Sequence, residues 1–218
     1  MKKTLILDFM GVIADVDMIK IATSFPLKQK FSVLKIFLSL KKNRKLNAFF
    51  RQYQMGIIDQ KELQEQFQTI LPHSAYIIPD LLQRFKENVK INPNVLSLVR
   101  DVKMYDVQVL LMSNTIPETE SIIMESQIPE LFDGIMCSTQ LGLIKPYGSI
   151  YGHALVTYDV FNKQTLMIDD SKKNLEKAEM FGFQTVRCKS SKETISALKK
   201  YLQKLSDEFI LEDADEIE

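Results

Sequence analysis

Asp8 ends the apolar run TLIL and is followed at once by the glycine turn FMGV. Ser113 and Asn114 close a second apolar run, VQVLLM. Lys145 precedes a proline in GLIKPYGS, and Asp169 and Asp170 close a third run, TLMI. Taken singly these are ordinary features: a terminal Asp can cap the next helix, Ser–Asn can turn the chain and Lys–Pro can punctuate it. Taken together, a carboxylate, a hydroxyl, an ammonium and paired carboxylates suit phosphoryl transfer. A carboxylate can attack phosphorus and carry the group covalently. Neighbouring acids can hold Mg2+, a hard cation that takes oxygen ligands and neutralises phosphate charge. A hydroxyl and a lysine can bind the oxygens of the group in transfer. The partner implied is a small phosphorylated substrate.

Short apolar segments must position these groups. The spans 4–8, 107–112, 134–137, 165–169 and 184–188 read as buried parallel strands, with helical stretches such as ETESIIMESQ, SIYGHALVTY and SKKNLEKAEMFG between the later ones. Strand alternating with helix predicts an α/β fold with a parallel sheet, and ligand sites in such sheets form at the carboxyl ends of the strands. The first two strands lie roughly 100 residues apart, where a βαβ unit needs only about 30. An insert is therefore expected. Residues 18–88 show helical periodicity only, in about four segments, and Asp59 with Glu62 makes a capped start for the third. INPNVLSLVRDVK then leads back to the sheet as a helix. The expected organisation is a core of residues 1–17 and 89–205, a helical cap of residues 18–88 placed over the strand ends, and an acidic tail, 206–218.

At these residues the chain resembles the capped members of the haloacid dehalogenase superfamily, over nearly its whole length. The matching motifs are LILDFMGV, SN, KP and IDDSKKN, and the block from GLIKPYGSIYGHAL to LMIDDSKKNLEKAEMFGF is the most specific. The resemblance implies a Rossmann-like parallel sheet of order 5-4-1-2-3 with an inserted all-helical cap. It implies Asp8 as nucleophile, with Ser113 and Lys145 as catalytic groups that bind the phosphoryl oxygens and Asn114 beside them. It also implies a Mg2+ site formed by Asp8, Asp169, Asp170 and the backbone carbonyl of Met10. Asn174 is expected in support.

Phosphatases of that superfamily usually carry a second Asp where this chain has Met10. That acid protonates the leaving oxygen and then activates water, and a thioether does neither. Losing a positioned acid–base group lowers the rate by roughly 10^2–10^4. Three alternatives stay open. One is a Mg2+-dependent phosphatase whose leaving group needs little proton help, such as a sugar phosphate, or in which Asp15 or Asp17 supplies the proton. Another is a dehalogenase-like hydrolase, whose halide leaves unprotonated. The third is a catalytically weak or inactive binding protein on the same fold.

The 218 residues are 45% hydrophobic and 26% charged with zero net charge, so the whole molecule offers no electrostatic case for nucleic acid. Two cysteines are too few for a disulfide framework. With no apolar run of about 18 residues, a cytoplasmic monomer or homodimer is expected. One stretch is biased: Lys20, Lys28, Lys30, Lys35, Lys41, Lys42, Arg44, Lys45 and Arg51 occur with no acid among them. A solvated face is the simplest reading. Alternatively the stretch attracts an anionic substrate or a membrane surface, or the acidic tail docks on it. Phe31, Phe37, Phe49, Phe50 and Tyr53 read as the core of the cap. His73 and His153 have no ligand-spaced partner.

Overall fold

Seven strands are present in the computed structural model, which describes residues 2–215, with side chains as far as residue 210. They are β1 (Thr4–Leu7), β2 (Ala14–Val16), β3 (Val89–Ile91), β4 (Gln108–Ser113), β5 (Gly134–Cys137), β6 (Thr165–Asp169) and β7 (Gln184–Arg187). Five of them form one sheet in the order β5-β4-β1-β6-β7, and every pairing is parallel. Numbered within this sheet alone, the order reads 5-4-1-2-3 from the other edge, as the resemblance implies; β2 and β3 pair antiparallel in a sheet of their own.

The central strand β1 is buried along its length. Leu5 and Leu7 join Val95, Val99 and Leu198 on one side, while Ile6 joins Ile150, Tyr151 and Leu175 on the other. Alternate residues thus face helix layers on both sides, which is what a continuous apolar run in a parallel strand produces. The helix Ser191–Asp215 continues through the first part of the stretch that composition sets apart as an acidic tail; residues 216–218 lie outside the described residues.

Between β2 and β3 the chain forms five α-helices: Met18–Ser24, Leu27–Lys42, Arg44–Gln54, Gln60–Ile70 and Ile78–Asn88. They share an apolar cluster that includes Ile21, Val33, Ile36, Leu46, Phe67 and Leu82. Gln60–Ile70 opens with the expected cap: the Glu62 N–H donates to Asp59 Oδ1 and the Asp59 N–H to Glu62 Oε2, both at 2.8 Å. Such a cap is worth about 1 kcal/mol. The short helix Met18–Ser24 is additional to the four expected; Asp17 caps it by accepting from the Lys20 N–H at 2.8 Å. The chain leaves the large sheet through β2 and returns through β3, so this two-stranded ladder ties the two ends of the helical insert together.

Candidate active site

Strand order brings the predicted residues together. Asp8 follows β1, and its N–H continues the ladder to the Ile168 carbonyl of β6 (3.0 Å), which sets it level with Asp169 at the end of that strand. Ser113 ends β4 on the other side of β1 and is buried. Lys145 enters from the loop after β5. Its buried ammonium lies 3.0 Å from Asp8 Oδ1 and 2.6 Å from Asp169 Oδ2, and it donates to the Met112 carbonyl at 2.7 Å. All three ammonium protons therefore have acceptors.

The carboxylates differ in how they are held. Asp169 accepts from Lys145, from the Ser171 N–H at 2.8 Å and from the Asn174 amide on both oxygens, at 3.0 and 3.1 Å. Asn174 is itself fixed through its backbone carbonyl, which accepts from the Tyr151 hydroxyl at 2.9 Å. Asp8 is held through Oδ1, which takes the Phe9 N–H at 2.7 Å as well as the Lys145 ammonium. Asp170 is exposed. Its carboxylate lies against the Gly11 turn, where φ is +76° and a side chain would meet Asp170 atoms at 3.2 Å. Glycine is required there both for the left-handed backbone and for the space.

Oxygens of Asp8, Asp169 and Asp170 all lie within 4.8 Å of one another. Burial pushes the Asp8 carboxyl up to about 7; the Lys145 charge pulls the other way and the Asp169 charge adds to the rise. Burial alone would lower Lys145, but Asp169 and Asp8 together outweigh it and hold the ammonium above its ordinary value. Burial and then Asp169 also raise Asp170. When all are ionised, three carboxylates face one ammonium. The two excess negative charges and the all-oxygen donor set fit a hard divalent cation.

Asn114 holds the backbone of Lys145. Its amide oxygen accepts from the Lys145 N–H at 2.8 Å and its amide nitrogen donates to the Lys145 carbonyl at 2.9 Å. Met10 is half-buried against the apolar cluster on one face of the sheet. Neither acid weighed as its stand-in is free for that role. Asp15 accepts from both the N–H and the hydroxyl of Ser191, and Asp17 caps a helix. His153 stands beside Thr157 on its own helix, with Nδ1 and the hydroxyl 3.2 Å apart.

Some contacts near the site carried no signal in the sequence. Arg51 of the insert donates to the Tyr147 hydroxyl at 2.6 Å, two residues beyond Lys145, and the Tyr53 hydroxyl donates to Glu118 at 2.8 Å. These bonds seat the helical insert over the strand ends. The insert also holds a partly open apolar cavity of about 120 Å³, lined by Met18, Phe37, Phe50, Phe67 and Phe85 and, from the sheet side, by Ile116, which lies just past Ser113 in the chain. Among the described residues no helix is long and apolar enough to cross a membrane.

Residues 5–188 match the family model described as haloacid dehalogenase-like hydrolase. A HAD-like family hydrolase from Porphyromonas gingivalis is similar in structure over 93% of this chain and 98% of its own, with a TM-score of 0.73 at 20% identity. A HAD family enzyme from Bacteroides thetaiotaomicron, in complex with magnesium and inorganic phosphate, is similar over 86% of this chain and 94% of its own, with a TM-score of 0.66 at 19% identity. In sequence, the chain is 30% identical over 105 residues to a sesquiterpene phosphatase from Aspergillus oryzae. That match spans 48% of this chain and about half of the relative, 54%.

Proposed function

Because the chain belongs to the haloacid dehalogenase-like hydrolase family, we propose that it is a Mg2+-dependent phosphomonoester hydrolase working through an aspartyl-phosphate at Asp8. The observation that carries this is the buried Asp8–Lys145–Asp169 arrangement with Asp170 beside it. Asp8 and Asp170 would hold the cation, with the Asp169 charge and the Met10 carbonyl adding to the site. Bound Mg2+ would supply a positive charge that neutralises the phosphoryl oxygens.

The chain's own residues do the rest. Oδ1 of Asp8 is held by Phe9 and Lys145, which leaves Oδ2 for the attack. A new bond forms from that oxygen to phosphorus as the ester P–O bond breaks, and the bonding pair leaves on the alcohol oxygen. Ser113 steadies the transferring oxygens by hydrogen bonding, and the Lys145 ammonium, whose protons are already engaged, does so by its charge. Water then attacks phosphorus as the P–Oδ2 bond breaks; inorganic phosphate leaves, the water proton passes to solvent, and the bonding pair restores the Asp8 carboxylate. Asn114 acts as a positioning residue, through Lys145. With Met10 in place of an acid, the leaving oxygen takes its proton from solvent.

The sesquiterpene phosphatase relative supports a phosphomonoester with a hydrocarbon tail over a sugar phosphate, and the small cavity in the insert has an apolar lining to match. Met10 supports a second reading, in which the site binds phosphate and turns it over slowly. A dehalogenase-like reaction draws no support from a three-carboxylate cluster. The test is hydrolysis of prenyl and sugar monophosphates with Mg2+ or EDTA. Activity should need Mg2+, prefer the apolar substrate and vanish in Asp8→Asn; activity indifferent to EDTA or to Asp8→Asn overturns the mechanism.

A further inference from the structure

The helix Leu27–Lys42 buries one face and leaves a second apolar face open. Ser32, Val33 and Ile36 turn inward, yet Leu27 is 77% exposed, Phe31 76%, Leu34 55% and Leu38 47%. At 3.6 residues per turn these four fall within a sector of about 60° at the centre of the exposed face. Scattered apolar residues on a surface are normal, but an aligned stripe of large ones marks a contact site. By the same geometry Lys30 and Lys41 border the stripe on one side, and Lys28, Lys35 and Lys42 on the other. From residue 18 to residue 58 there is no acid at all.

We propose that this face docks on an anionic lipid bilayer. Leucine and phenylalanine would enter the boundary between headgroups and acyl chains, while the lysines on either side meet lipid phosphates and carboxylates; this is the arrangement of an interfacial amphipathic helix. Charge complementarity selects this occupant. A second copy of the chain would bring two acid-free basic faces together, whereas an anionic surface satisfies both rows of lysines at once. The acidic C-terminal helix is no competitor over its described part, because Leu198 and Leu205 seat it in the core cluster of the sheet. On the inner side of the docking helix, Ile36, Phe37 and Leu40 line the apolar cavity, so bilayer and cavity would lie on opposite sides of a single helix. The docking stands whether or not the site hydrolyses phosphoesters.

Co-flotation of the full chain with vesicles tests this. Binding is expected to vesicles of phosphatidylcholine with phosphatidylserine and not to phosphatidylcholine alone, and to weaken steeply as salt is raised. Combining Phe31→Ser with Leu34→Ser should lower partitioning by about tenfold or more and leave the thermal midpoint unchanged, since both side chains are exposed. Lys28→Glu with Lys35→Glu should remove the preference for anionic lipid. No binding to anionic vesicles at low salt overturns the proposal, as does binding that the Phe31/Leu34 variant does not reduce. Self-association that this variant abolishes, without vesicle binding, would assign the face to a second copy and equally overturn it.

Discussion

The side chain of Asn114 brackets the backbone of Lys145, accepting from its N–H at 2.8 Å and donating to its carbonyl at 2.9 Å. Two bonds in opposite senses fix both the position and the orientation of the loop that delivers the buried ammonium between Asp8 and Asp169. Asn114→Ala should therefore lower kcat by about 10–100-fold with a smaller change in KM, since the substrate contacts themselves remain. Stability should fall by about 1–3 kcal/mol, from the buried groups left unpaired. Steady-state kinetics and urea unfolding on one preparation check both; a loss of stability with kcat intact would show that the bracket serves the fold alone.

Lys145 is the positive charge that compensates Asp8 and Asp169 within hydrogen-bond range. Lys145→Met leaves two buried carboxylates facing each other, and removing one partner from such a set costs about 3–5 kcal/mol. Because divalent cation can replace part of the missing charge, Mg2+ should recover some of that loss. Urea unfolding with EDTA and with Mg2+ measures it.

The positions of the acids were legible because each closes an apolar run, and a strand end leaves little choice of direction. Less legible were β2 and β3, three residues each, too short for alternation to show. The expectation that Phe31 belongs to the core of the cap is corrected: Phe37, Phe49, Phe50 and Tyr53 join that cluster, but Phe31 lies in the exposed stripe. An apolar residue shows that a face will be covered, not by what, and a helix apolar on two faces leaves the choice to its neighbours. The bracket that Asn114 makes on the Lys145 backbone was illegible for a similar reason. The type of a polar residue does not reveal which backbone it will meet once a distant loop folds over it.

Metal binding should depend on pH through Asp8. Its carboxyl sits at about 7, chiefly through burial, against about 3.9 when unfolded. Between those values the folded chain keeps a proton that the unfolded chain has lost. The Asp8 contribution to metal-free stability thus falls as pH rises from about 4 to about 7 and levels off above. Mg2+ must displace that proton below about pH 7, so its apparent affinity should rise with pH there by up to about tenfold per unit and flatten beyond. Thermal midpoints with EDTA and with Mg2+, from about pH 5 to about pH 8, give the dependence. A Mg2+ effect that is flat over that range would exclude Asp8 as a ligand.

On the proposed mechanism, Met10 removes proton transfer alone, since Asp8, Ser113, Lys145, Asp169 and Asp170 all lie at the strand ends. Met10→Asp should then raise kcat for an alkyl phosphate by about 10^2–10^4. For p-nitrophenyl phosphate, whose leaving group is stable without a proton, the gain should be small. Compared across leaving groups of increasing basicity, the wild-type rate should fall steeply and the variant rate hardly at all. Replacing a half-buried side chain that packs on the core cluster also costs stability, by about 1–3 kcal/mol, so the thermal midpoint belongs in the same comparison. An equal gain on every substrate would point to changed metal or phosphate binding. No gain in a folded variant would place the rate limit outside proton transfer.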